Sequence, residues 1–219
     1  MDFKAAIFDM DGTLINSLIF WDYLWAELGK RFLNNKDFKP SVEDDKKVRT
    51  ATYKDAMQLI HDNYNICESG EQLLCVANEL LIDFYSNTVE LKSGVKEYLE
   101  YLKSKNIKMC VASATARDMV ILAMKHCGIE EYFLEVFSCA DLGKGKDEPD
   151  IYLQTVKFLG EEIEDICLFE DSVVAIETAT KIGLPTVAIY DCFNYGQERM
   201  REIANEYIAD GETLLKLVK

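Results

Sequence analysis

Six polar side chains in this sequence have the types and spacing to do chemistry together. Asp9 and Asp11 stand two apart in Asp9-Met-Asp-Gly-Thr13, directly after the apolar run Lys4-Ala-Ala-Ile-Phe8. Ser113 closes a second run, Ile107-Lys-Met-Cys-Val-Ala112, and Glu170-Asp171 closes another, Ile166-Cys-Leu-Phe169. Lys146 lies in the loop Gly145-Lys-Asp-Glu-Pro-Asp150. Carboxylates crowded at one place repel one another, so some take up protons or a dication neutralises them. Hard oxygen donors with no neighbouring His or Cys favour Mg²⁺ over zinc.

These residues need elements that bring them to one edge. The short apolar runs read as buried strands, each followed by a polar turn. Weaker apolar character around Leu134–Phe137 and a run at Thr186–Tyr190, ending in Asp191, complete five predicted strands. Between them the period turns helical. Val95, Tyr98, Leu99 and Leu102 share one face. Thr115-Ala-Arg-Asp118 has the form of a capping box opening a helix that Gly128 closes. Ile151–Leu159 stops at Gly160, and Val173–Ile182 stops at Gly183 with Pro185 beyond. Strands alternating with helices imply a parallel sheet, and in an open parallel sheet ligands bind beyond the carboxyl ends of the strands.

Residues 17–87 differ: helix starts at Ser41 and Thr52, an apolar stripe at Leu73, Ala77, Leu80, Leu81 and Phe84, and no good strand. The predicted fold is therefore α/β, a Rossmann-like parallel sheet core of residues 1–16 and 88–219 with a small helical domain inserted at 17–87. Two connections of this kind form a hinge. Trp21 and Trp25, four apart, are expected in the core of the insert, and His61 and His126 are read as structural or surface residues.

Composition narrows the function. The 219 residues carry 24 Lys+Arg against 39 Asp+Glu, a formal charge of −15, which disfavours nucleic acid because duplex binding needs a basic footprint. Hydrophobic content of 49% is enough to bury a core. No apolar run is long enough to span a membrane, and no basic leader with a long apolar stretch opens the chain. The seven scattered cysteines form no CxxC pair and read as reduced, mostly buried thiols, so a cytoplasmic location is expected.

Asp9-x-Asp11-Gly12-Thr13-Leu14 after a strand, followed in order by Ser113 in Val111-Ala-Ser-Ala-Thr115, by Lys146 ahead of Pro149-Asp150, and by Glu170-Asp171-Ser172, resembles the haloacid dehalogenase superfamily of phosphotransferases. The similarity is to its branch with a helical cap after the first strand, the branch of phosphoglycolate phosphatase and β-phosphoglucomutase, and it covers essentially the whole chain. The resemblance implies that Asp9 is a nucleophile forming an aspartyl-phosphate and that Asp11 is the general acid, then the base. It further implies Mg²⁺ held by the Asp9 carboxylate, the Asp11 backbone carbonyl and Asp171, with Glu170 bound directly or through water. Lys146, the Ser113 hydroxyl and the Ala114 N–H would hold the phosphoryl oxygens. Lys144, two residues before Lys146, competes for its role. Each residue also has an ordinary reading: Ser113 as a helix cap, Lys146 as a solvated loop lysine, Glu170-Asp171 as a charge pair at a helix N-terminus.

In this superfamily the cap selects the substrate. Residues 30–54 carry eight bases against four acids, either a solvated helix face or a patch attracting an anion. Thr52, Tyr53 and Lys54 match the place of the substrate-specificity loop, and Tyr53 replaces the arginine of the β-phosphoglucomutases. The expected function is a Mg²⁺-dependent phosphatase acting on a small phosphorylated metabolite, a sugar phosphate or phosphoglycolate-like phosphomonoester. A phosphosugar mutase and a non-catalytic binding protein are the alternatives, the last disfavoured by the complete carboxylate set. The expected partner is that small metabolite, with no nucleic acid, no membrane, and a monomeric or weakly homodimeric state.

Overall fold

The computed structural model of the chain describes residues 2–218; Met1, Lys219 and the side chain of Thr50 lie outside it, so the readings of the N-terminus and of Arg49–Lys54 are followed only in part. The chain divides into two compact units, residues 1–17 with 89–219, and residues 18–88.

The first unit is built on six parallel strands: β1 (Ala5–Phe8), β2 (Lys108–Ser113), β3 (Val136–Ser138), β4 (Ile166–Glu170), β5 (Thr186–Ile189) and β6 (Glu206–Ile208). Their order is β3-β2-β1-β4-β5-β6. The chain builds outward from β1 to β3, then returns to place β4 on the other flank of β1. The crevice at such a reversal is where open α/β sheets bind ligands. Phe8 is level with Val111 on β2 and with Phe169 on β4, so Asp9 leaves β1 beside Glu170.

Strand alternation divides the core. Ile7, Leu168, Cys110 and Ala112 pack with α7 (Cys139–Leu142), α8 (Asp150–Leu159) and α9 (Val173–Lys181). Phe8 and Phe169 belong to the alternate set, stacked at 4.4 Å with 13° between planes. Phe169 also meets Tyr98 of α5 (Val95–Ser104), at 5.7 Å and 60°. Aromatic pairs add to area burial when offset or edge-on. The expected fold class is therefore observed: an α/β, Rossmann-like parallel sheet with an inserted small helical unit.

Three details differ from expectation. The strand β6 lacks a sequence signal, having three residues of which only Ile208 is fully buried. The helix α6 (Arg117–Cys127) has no side-chain cap; the Ser113 hydroxyl accepts the Thr115 N–H at 3.0 Å, and Thr115 uses its own hydroxyl elsewhere. Only Cys110, Cys139 and Cys167 are buried, while Cys75 and Cys192 are exposed, though all seven are free.

The second unit holds α1 (Phe20–Phe32), α2 (Val42–Thr50), α3 (Tyr53–Tyr64) and α4 (Gly70–Asn87). Ser41 and Thr52 cap α2 and α3 as their positions predict, accepting the N–H of Asp44 and of Asp55. Leu73, Ala77, Leu80 and Phe84 form the buried face of α4. Trp25 is buried and donates its indole N–H to Asp45 at 2.8 Å, while Trp21 is half-buried. His61 pairs with the Ile66 carbonyl at 3.0 Å, and His126 is exposed.

The stacked pair makes the sheet centre the place where a cavity costs most. Phe8→Ala is expected to lower the unfolding free energy by about 3–5 kcal/mol, against well under that for Phe158→Ala, whose ring is half exposed. Urea denaturation followed by circular dichroism checks both.

Candidate active site

The loop after β1 is shaped by its glycine. Gly12 sits at φ +80°, a left-handed conformation that side chains disfavour. The turn closes through the Met10 carbonyl, which accepts the N–H of Leu14 at 2.9 Å and of Ile15 at 3.1 Å. This carries Asp9, buried, and Asp11, half-buried, past the end of β1.

The Lys146 ammonium bridges Asp9 Oδ1 and Glu170 Oε2, the second contact at 2.6 Å. Glu170 turns its other oxygen to the backbone N–H groups of Asp171 (3.2 Å) and Ser172 (3.1 Å), at the start of α9. Asp171 completes the cluster: one carboxylate oxygen from each of Asp9, Glu170 and Asp171 lies within 4.8 Å of the others, all three residues buried. Thr13 donates to Asp171 Oδ1 at 3.3 Å, and Asn194 donates to Oδ2. Asp11 Oδ2 accepts the Thr115 hydroxyl at 2.7 Å.

One ammonium among three buried carboxylates leaves a local excess of negative charge. Burial, then the charge of Glu170, pushes Asp9 up to about 7 against the pull of Lys146. Burial, then the charges of Asp9 and Glu170, drives Asp171 well above the usual carboxylate range. Burial acts to lower Lys146, but the two carboxylates outweigh it and hold the ammonium well above its ordinary value. Buried oxygen donors with uncompensated charge and no imidazole or thiolate in the group suit a hard divalent cation such as Mg²⁺.

Of the residues predicted, Asp9, Lys146, Glu170 and Asp171 come together, with Asp11 on the next turn. Lys144 does not: it pairs with Asp150 at the surface, 2.7 Å away. Ser113 is fully buried at the end of β2, and Ala114 after it is exposed. In the second unit Thr52 spends its hydroxyl on Asp55, Lys54 is exposed, and Tyr53 lies 6.1 Å from the Trp21 ring with a buried hydroxyl that has no partner among the described residues. Much of the basic stretch there is neutralised locally, Lys30 and Arg31 by Glu27, Lys47 by Glu43, and Arg49 by Asp22 and Asp45. Sequence reasoning missed Thr13, Thr115 and Asn194. The first two lie within or beside the motifs; the third follows β5, whose place beside β4 only the strand order reveals.

A profile of the haloacid dehalogenase-like hydrolases matches residues 6–189. The chain is 27% identical over 185 residues to a phosphorylated carbohydrates phosphatase of Thermotoga maritima, covering 84% of this chain and 83% of that protein. It is 26% identical over 190 residues to validoxylamine A 7′-phosphate phosphatase of Streptomyces hygroscopicus subsp. limoneus, covering 85% of each. Its fold superposes with a TM-score of 0.84 on a Thermotoga maritima crystal structure described as a candidate β-phosphoglucomutase, at 25% identity and full coverage of both chains.

The raised Asp9 has a consequence for stability. The folded state retains an Asp9 proton that the unfolded chain releases near 3.8, so stability falls as pH rises from about 4 towards about 7. In metal-free buffer the melting temperature of wild type is expected to drop across this window more steeply than that of Asp9→Asn. Differential scanning calorimetry at several pH values measures the difference.

Proposed function

From the premise that this chain belongs to the haloacid dehalogenase-like hydrolases and is a phosphoric monoester hydrolase, we propose that it hydrolyses a small phosphorylated carbohydrate or phosphoglycolate-like monoester through an aspartyl-phosphate on Asp9. The observation that carries the reading is the Lys146 ammonium set between Asp9 and Glu170, with Asp171 beside them.

Asp9 Oδ attacks phosphorus, and the bond to the leaving alkoxide oxygen breaks in line. Its attack is helped by positioning rather than by basicity, since a carboxylate is a weak nucleophile. Asp11 gives its proton to the departing oxygen, held towards that task by the Thr115 hydroxyl. A water molecule then attacks phosphorus, Asp11 takes the water's proton, and Asp9 is freed with inorganic phosphate. Lys146, the Ser113 hydroxyl and the Ala114 N–H stabilise the charge on the phosphoryl oxygens. Asp9, Asp171, Glu170 and the Asp11 carbonyl would hold Mg²⁺, which when bound neutralises carboxylate and phosphoryl charge. The helical unit serves as the substrate-selecting cap, with Thr52, Tyr53 and Lys54 as its specificity segment. Both curated relatives named above carry phosphatase names, one for phosphorylated carbohydrates, which favours hydrolysis.

A second reading, isomerising phosphotransfer between sugar positions, has the fold likeness to the candidate β-phosphoglucomutase in its favour. Tyr53 in place of a cationic side chain speaks against it.

A panel of phosphorylated sugars and small phosphoacids, assayed with Mg²⁺ for released phosphate, tests the proposal. Wild type is expected to release phosphate, Asp9→Asn to lose essentially all turnover, and Asp11→Asn and Lys146→Met to lose at least about a hundredfold. Full activity in Asp9→Asn would sink the nucleophile assignment. Accumulation of a sugar bisphosphate without net release of phosphate would instead favour the mutase.

A further inference from the structure

The segment after β5 is built to hold one side chain against Asp171. The Asp191 carboxylate pairs with Lys92 at 2.8 Å, and its other oxygen accepts the Phe193 N–H at 2.9 Å. The Asn194 N–H donates to the Asp191 carbonyl at 3.2 Å. Gln197 then ties the loop across, its amide N–H groups reaching the carbonyls of Asp191 (3.0 Å) and Asn194 (3.2 Å). The Gln197 side-chain Oε1 accepts the Tyr207 hydroxyl at 2.7 Å, anchoring the brace to β6. Gly196, at φ +78°, approaches α9 so closely that a Cβ there would lie 2.8 Å from the Val173 side chain. The loop is thus docked where α9 begins, two residues past Asp171.

At its apex the Asn194 amide N–H₂ donates twice to Asp171, to the backbone carbonyl at 3.2 Å and to Oδ2. Both atoms accept, so the amide must present its nitrogen. Together with Thr13 on Oδ1 at 3.3 Å, this places one donor on each carboxylate oxygen. A carboxylate has about four lone-pair positions, so each oxygen keeps one for another partner.

We propose that Asn194 is a positioning residue that fixes the Asp171 carboxylate in the orientation a divalent cation requires, with Gln197 as its brace. This rests on the reading of Asp9, Glu170 and Asp171 as a cation site. Asn194 does not touch the ion; it removes the rotational freedom that Asp171 would otherwise lose on binding, and partners of this kind set affinity through the ligand they orient.

The test is isothermal titration of Mg²⁺ into metal-free wild type, Asn194→Ala, Gln197→Leu and Asp171→Asn, with the metal-free melting temperature of each. Mg²⁺ affinity is expected to fall about ten- to a hundredfold in Asn194→Ala, and by less in Gln197→Leu, with melting temperatures close to wild type. Wild-type affinity in a folded Asn194→Ala overturns the proposal. If Asn194→Ala fails to fold, unchanged affinity in Gln197→Leu overturns it. Saturable binding to wild type that is lost in Asp171→Asn upholds the underlying cation-site reading separately, whereas no binding to wild type overturns both.

Discussion

One buried ammonium shared between two carboxylates, with a third carboxylate alongside, is the constraint around which the first unit is organised. Charges removed from water cost several kcal/mol each unless paired and hydrogen-bonded. Here Lys146 serves Asp9 and Glu170 together, two backbone N–H groups at the start of α9 serve the far oxygen of Glu170, and Thr13 and Asn194 serve Asp171. The two N–H groups follow Glu170 directly, whereas Lys146, Thr13 and Asn194 come from three other parts of the chain. The parallel sheet makes that possible, because its strand order sets the ends of β1 and β4 side by side and puts the loop after β5 next to them. The apolar stack of Phe8 on Phe169, one residue below the charges on each strand, fixes the spacing of those ends.

The same arrangement gives the carboxylates distinct surroundings. Asp9 is buried against a cation, Asp171 is clamped by neutral donors, and Asp11 is turned to the Thr115 hydroxyl. Residues identical in type but different in surroundings are how one site runs nucleophilic, acid–base and ion-binding steps together. The excess of acid over base in the whole chain is harmless to an anionic substrate only if the sign reverses locally. Lys146 supplies one positive charge at that point, and the proposed cation supplies the rest.

How far this was legible from the sequence depends on what each residue relies on. Strands β1, β2, β4 and β5 are buried on both faces, so they read as apolar runs, and the chemistry follows each run directly. That is why Asp9, Ser113, Glu170 and Asp171 could be placed at one edge. Glu206-Tyr-Ile208 is too short and too polar to stand out, so β6 was not legible. Thr115 has the spacing of a cap, yet Ser113 takes its N–H and Asp11 takes its hydroxyl, a competition decided in three dimensions. The choice between Lys144 and Lys146 likewise needed the loop's path, with Asp150 holding the former at the surface. Asn194 acts through strand adjacency alone and leaves no local signal. In the helical unit the caps at Ser41 and Thr52 were legible, because capping is a local interaction. The basic stretch left a solvated face and an anion-attracting patch open, and its ion pairs were not legible because they join residues as far apart as Asp22 and Arg49.

In the proposed reaction the Asp9 carboxylate itself accepts the phosphoryl group. Acid quenching during turnover of a phosphomonoester, followed by borohydride reduction and peptide mass spectrometry, tests it directly, since reduction converts a phosphorylated aspartate to homoserine. Homoserine at position 9, dependent on substrate and absent when substrate is withheld, is the predicted result. Steady hydrolysis with an unmodified Asp9, or with the modification at another carboxylate, would show that Asp9 is not the nucleophile.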